Sequence, residues 1–268
     1  MKSKMIIVAV IAIIAVVAVG LYATGTFNNH SNLENQEIQL AAAASLKNAY
    51  DKELIPLFEQ KHPGVKVTPT YASSGDLQTQ IENGLKADVF MSAANKQMNA
   101  LVEKDLIDNS TNVQFLENKV VLIVPADSSA NISSFDDLKN VNGNIAIGNP
   151  DSVPAGQYAK EVLTNLKLWN ETESKLSFGN DVTAVLNQVA DGSADCGIVY
   201  STDAKSNDKV KVVCEAPEGS LNTPVIYPVA MVKDSQHSDA AKEFIDFLQT
   251  KEAKDIFEKY GFTIHENK

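Results

Sequence analysis

From residue 38 onward, apolar positions alternate between two periods. Residues 38–44 form a short apolar run. Leu46, Ala49, Tyr50, Leu54, Leu57 and Phe58 then recur at helical spacing, which predicts a helix capped by Ser45. Pro56 should kink or interrupt it. His62-Pro63-Gly64 reads as a turn, and residues 65–71 alternate as a strand. Leu77 and Ile81 mark one face of a helix over 76–83 that stops at Gly84. A strand over 87–92 and a helix over 95–102 complete the first stretch.

The second stretch repeats the alternation. Residues 119–125 form a strongly apolar strand, as expected of a crossing into a second lobe. Strands follow at 145–148, 196–200 and 210–214, with helices at 155–166 and 181–190 between them. Residues 225–232 read as a strand crossing back, and helices at 240–249 and 252–260 close the chain. Strands alternating with helices imply an α/β fold with parallel-rich sheets flanked by helices.

The first 37 residues differ. Met1-Lys2-Ser3-Lys4 precedes an uncharged apolar run over 5–22, and 23–37 are polar and rich in Asn. This predicts a membrane anchor or signal segment followed by a polar tether, with the anchor favoured. Two lysines before the apolar run place the rest outside the cytoplasm. No Cys follows that run, which excludes a lipid-modified Cys anchor. Cys196 and Cys214 each sit in a strand-like run, and an exported location permits, without requiring, a disulfide between them. The four histidines show no metal-ligand spacing.

The net charge of −11 argues against nucleic acid as a partner. All 23 basic residues are Lys, so a guanidinium clamp on an anion is absent. Neutral donors or Lys would have to hold one. Five segments offer such donors: Ala42-Ala43-Ala44-Ser45-Leu46, Ala72-Ser73-Ser74-Gly75, Val153-Pro154-Ala155-Gly156, Asp181-Val182 and Ile198-Val199-Tyr200. Four read as entries into helices, where unpaired N–H groups and the positive dipole end attract anions. Small side chains let an anion touch the backbone. Ser45 and Ser74 add hydroxyls, Ala155 and Val182 offer only N–H groups, and Tyr200 adds a neutral phenol. Taken singly, each has a plainer explanation: a cap for Ser45, a turn for Ser73-Ser74-Gly75, close packing for Ala155-Gly156, and a core position for Val182 and Tyr200.

In order and over residues 38 to about 266, these segments resemble the molybdate-binding proteins of ATP-driven molybdate importers. Ala43-Ala44-Ser45-Leu46, Ala72-Ser73-Ser74-Gly75, Ala87-Asp88-Val89-Phe90 with Ser92-Ala93, Val153-Pro154-Ala155-Gly156 with Tyr158-Ala159, and Gly197-Ile198-Val199-Tyr200 with Thr202-Asp203-Ala204 carry the likeness. The resemblance implies a two-lobed periplasmic-binding-protein fold of type II with two interlobe crossings. The expected division is 1–37 as anchor or signal plus tether, 38–118 with 228–268 as lobe 1, and 119–227 as lobe 2. It implies Ser45, Ser74, Ala155, Val182 and Tyr200 as ligands of molybdate or tungstate. It further implies no cofactor, no catalysis, a monomer, and an ABC permease with its ATPase as partners. Asp181 should cap its own helix and face away from the anion. Sulfate or another oxyanion, and a membrane-tethered sensor on the same fold, are the alternatives. Ser206-Asn207-Asp208-Lys209 fits a Ser-x-x-Lys pattern but lacks companion motifs.

Overall fold

The computed structural model describes residues 35–266. The expected anchor or signal and nearly all of the tether fall outside them. No helix among the described residues is long and apolar enough to cross a membrane. The chain builds two mixed sheets flanked by helices, and each sheet carries one half of the cleft between them.

The first sheet takes β1 (Gln36–Ala43), β2 (Val65–Ala72), β3 (Val89–Met91) and β4 (Val113–Asn118). It is completed by β10 (Val225–Met231) and β11 (Thr263–Ile264), in the order β11-β4-β10-β3-β1-β2. The second takes β5 (Val120–Pro125), β6 (Ile145–Gly148), β7 (Leu176–Gly179), β8 (Cys196–Tyr200) and β9 (Val210–Glu215). Its order is β7-β6-β8-β5-β9. β1 pairs parallel with β2 and β3, and β6 with β7 and β8. The remaining pairs are antiparallel: β10 and β5 arrive from the opposite lobe and run against their neighbours, and β11 runs against β4 at the sheet edge. Crossings at Lys119 and between β9 and β10 join the two sheets.

The helix expected after β1 is composite. A 3-10 turn (Ala44–Leu46) leads into one α-turn (Lys47–Ala49), a π turn (Tyr50–Leu54) and α1 (Ile55–Lys61). Pro56 sits in the first turn of α1, so the widened π turn just before it takes up the irregularity a proline imposes. Ser45 caps nothing: the 3-10 turn has no side-chain cap, and the Ser45 hydroxyl turns to Tyr227. The apolar face of α8 (Ser238–Leu248) supplies Phe244 and Phe247, which pack on Phe58 with ring centroids 4.9 and 5.3 Å away. Tyr50 joins this aromatic core beneath β1.

Cys196 on β8 and Cys214 on β9 are both free thiols. β5 lies between their strands, a separation of about 9–10 Å at ordinary sheet spacing and too far for a disulfide.

Candidate functional site

The C-terminal ends of β1, β2 and β3 face those of β6, β7 and β8 across the cleft. At that junction Ser45, Ser74, Ala155, Val182 and Tyr200 line one cavity, with Ala43, Ala44, Ala72, Ser73, Ala93, Val153, Pro154 and Asp181 filling the remaining wall. All five are buried, from fully for Ser74 to 9% exposed for Ser45. The cavity is therefore shut off from solvent.

Each segment reaches the wall for a local reason. Ser73 is the N-cap of α2 (Ser74–Glu82), its Oγ accepting from the Asp76 N–H at 3.1 Å, which leaves Ser74 as the first helical residue. The Ser92-Ala93-Ala94 turn links β3 to α3 (Asn95–Glu103) and brings the Ala93 N–H to Ser74 Oγ at 3.0 Å. Pro154 opens α4 (Pro154–Asn165), where its missing N–H costs nothing, and Ala155 is the next residue. Gly156 packs α4 against β6: a Cβ there would lie 2.0 Å from the Gly148 carbonyl oxygen. Past the short helix α5 (Trp169–Thr172) and β7, Asp181 caps α6 (Val182–Ala190) by accepting from Ala184 N–H at 2.7 Å. Its capping role is as expected, yet it still borders the cavity instead of facing away. Tyr200 ends β8 and precedes α7 (Ser201–Lys205).

The chemistry of this wall is that of neutral donors. The N–H groups of Ser74, Ala155 and Val182 stand in first turns, where no intrahelical acceptor exists and the helix dipole is positive. Ser74 Oγ already accepts from Ala93, so its own proton is left to give. Tyr200 Oη lies 3.5 Å from the Ala93 carbonyl, too long to hold its proton firmly. Burial raises the Tyr200 phenol well above its ordinary range and keeps it protonated. No lysine lines the cavity. Such a wall suits an anion with acceptors on every side.

Two acids oppose an anion there. Asp203 is buried behind Tyr200 and accepts from the Tyr200 N–H at 3.3 Å. Burial, together with the charge of Asp181, pushes its carboxyl up to about 7.

The profile of the bacterial extracellular solute-binding proteins matches residues 38–263. The chain belongs to that family. The resemblance drawn from the motifs is borne out by relatives along most of its length. It is 40% identical over 233 residues to the molybdate-binding protein ModA of Escherichia coli, covering 85% of this chain and 89% of that protein. It is 39% identical over 246 residues to YvgL of Bacillus subtilis, named as an ABC transporter substrate-binding lipoprotein, covering 91% and 94%. A solved substrate-binding domain from Clostridium difficile, described as part of a molybdenum ABC transporter, shares 43% identity over 86% of this chain and 99% of that one, with a TM-score of 0.66. The chain is thus an extracytoplasmic transport component with the two-lobed type II fold.

In this solute-binding protein two contacts outside the cavity also cross the cleft. Gly75 N–H donates to the Ser152 carbonyl across the cleft at 2.9 Å. Gln97 Nε2 donates to Gln157 Oε1 at 3.1 Å, while Gln97 Oε1 and Gln157 Nε2 are buried without a partner. A larger hollow of about 210 Å³ lies at the N-terminal end of β3, lined by Asp88 and His237. Its one buried acid, Asp88, is occupied by Gln39 N–H, Ser235 Oγ and His237 Nδ1 at 2.7, 2.6 and 3.3 Å, so it has no free chemistry. Sequence reasoning gave no role at the site to Tyr227, Asn118, Ala93 or Asp203, although Ala93 and Asp203 stand within the motif segments. Outside those segments Tyr227 left a trace, a phenol in the otherwise apolar strand run around residues 225–231.

Proposed function

We propose that the protein captures molybdate, and tungstate with it, as a tetrahedral dianion outside the cytoplasm and hands it to an ABC permease driven by its ATPase. The observation that carries this reading is the convergence of five separate segments on one enclosed, lysine-free cavity. The names of the molybdate-binding relatives support the same ligand. Ser45 and Ser74 supply hydroxyls, Ala155 and Val182 supply N–H groups, and Tyr200 supplies its phenol. The protein performs no catalysis and needs no cofactor. Residues 38–118 with 228–268 act as one lobe and 119–227 as the other, hinged at the two crossings, and the protein works as a monomer. The N-terminal segment tethers it at the membrane, where effective concentration at the permease is raised.

Selectivity follows from size and protonation. A cavity fitted to a large tetrahedron stretches every bond to sulfate. Hydrogenphosphate brings a proton that donors cannot accept. Thermal unfolding with molybdate, tungstate, sulfate and phosphate in turn tests the reading. A ligand at about 1,000 times its Kd adds about 4 kcal/mol of apparent stability. A large upward shift with molybdate and tungstate alone is the expected result. A shift with sulfate instead would reassign the ligand, and none with any anion would overturn the reading.

A further inference from the structure

Tyr227 lies on β10, is fully buried, and is not part of the cavity wall. Its Oη is 3.0 Å from Ser45 Oγ and 3.2 Å from Asn118 Nδ2. Asn118 ends β4 at the crossing between lobes, and its amide cannot turn over. Its Oδ1 accepts from the Lys119 N–H at 2.8 Å and from Ser201 Oγ at 3.0 Å. Its Nδ2 therefore faces Thr202 Oγ1, at 2.9 Å, and Tyr227 Oη. Tyr227 Oη is thus an acceptor toward Asn118 and keeps one proton to place.

We propose that Tyr227 is a positioning residue: it donates to Ser45 Oγ, turns the Ser45 proton into the cavity, and so makes the site selective for a fully ionised oxyanion. The proposal rests on the anion-binding reading above. With the opposite polarity, Ser45 would present lone pairs to the anion. Ser74 is oriented by the same logic, its oxygen occupied by the Ala93 N–H. Once both hydroxyl oxygens are occupied, neither serine offers an acceptor to the O–H of a protonated oxyanion. Burial raises the Tyr227 phenol well above its ordinary range, so the orienting proton is always present.

A double-mutant cycle between Tyr227→Phe and Ser45→Ala tests this, with molybdate and hydrogenphosphate affinities read by calorimetry under mildly alkaline conditions. Tyr227→Phe alone should weaken molybdate binding about 3–10-fold and narrow the molybdate-over-hydrogenphosphate ratio by a similar factor. In the Ser45→Ala background the same change should alter neither. Equal losses in both backgrounds, or a loss of affinity with the ratio unmoved, would mean that Tyr227 only packs, and would overturn the relay. Unchanged molybdate affinity in Ser45→Ala would overturn the site assignment itself and the relay with it. Should Tyr227→Phe fail to fold, Asn118→Ala removes the donor to Tyr227, leaves the ring in place, and carries the same cycle.

Discussion

A hydroxyl beside an anion helps only if its proton points the right way. At Ser74 the direction is set by a backbone N–H, which no side-chain substitution elsewhere removes. Ser74→Ala should therefore weaken molybdate binding about tenfold or more, the loss of one hydrogen bond to a charged acceptor. Tyr200→Phe should cost about tenfold on the same ground, since its contact to the Ala93 carbonyl is a long 3.5 Å. Titration calorimetry reads both, and unchanged affinity in the pair would move the anion elsewhere. Asp203 adds a pH dependence. Its carboxyl rises from 3.8 to about 7 on burial, so within that window the folded protein holds a proton that the unfolded chain has released. Stability must then fall as pH rises from about 4 to about 7. Ionised Asp203 also places negative charge behind Tyr200, so anion affinity should fall as pH rises through about 7. Asp203→Asn, which keeps an acceptor for the Tyr200 N–H, should flatten both profiles. A wild-type profile already flat across that window would refute the assignment.

At the scale of elements, the cavity is an assembly of helix starts, and glycines set how closely they approach. Gly75 donates its N–H across the cleft, and a Cβ there would stand 2.3 Å from the Ser152 carbonyl oxygen. Gly75→Ala should leave each lobe folded but hold the cleft ajar. Molybdate affinity should drop about tenfold or more while the melting temperature of the unliganded protein barely moves, because only the competent fraction falls. A matching drop in melting temperature would mean that the glycine serves the fold instead. Much of this level was legible in the sequence. The small-residue segments announced themselves because an anion touching backbone leaves no room for large side chains. β6 and β8 were read to the residue, since each is a short buried run bounded by turn residues. The strands β4 and β7 escaped, for opposite reasons. β4 runs almost directly into β5, so the two apolar stretches blur into one. β7 keeps Phe178 half exposed at a sheet edge and lacks a buried pattern. The cap at Ser45 was misread because its hydroxyl serves a residue 182 positions away, a partner that local pattern cannot show.

The whole molecule repeats one plan. In each sheet the second strand of the lobe lies beside the first, then the third, then a strand from the other lobe, then a fourth: β2-β1-β3-β10-β4 in one and β7-β6-β8-β5-β9 in the other. The two borrowed strands make the crossings, so the lobes can rotate about them while both sheets stay intact. Closure then has to balance capture against release. The Gln97–Gln157 pair bears on that balance. Reversing both amides would make the other bond and orphan the other two atoms, so the shut cleft always buries one unpaired donor and one unpaired acceptor. In an open cleft water would satisfy all four. The pair therefore costs free energy on closing, about 1–3 kcal/mol for each unpaired group before its single bond is credited. It acts as a spring toward opening. Replacing Gln97 by Met and Gln157 by Leu together keeps volume and removes the orphaned atoms. Molybdate should then dissociate more slowly, by about tenfold, and small-angle scattering should find the unliganded protein more compact. Faster dissociation would show that the one bond the glutamines make outweighs the two they forgo.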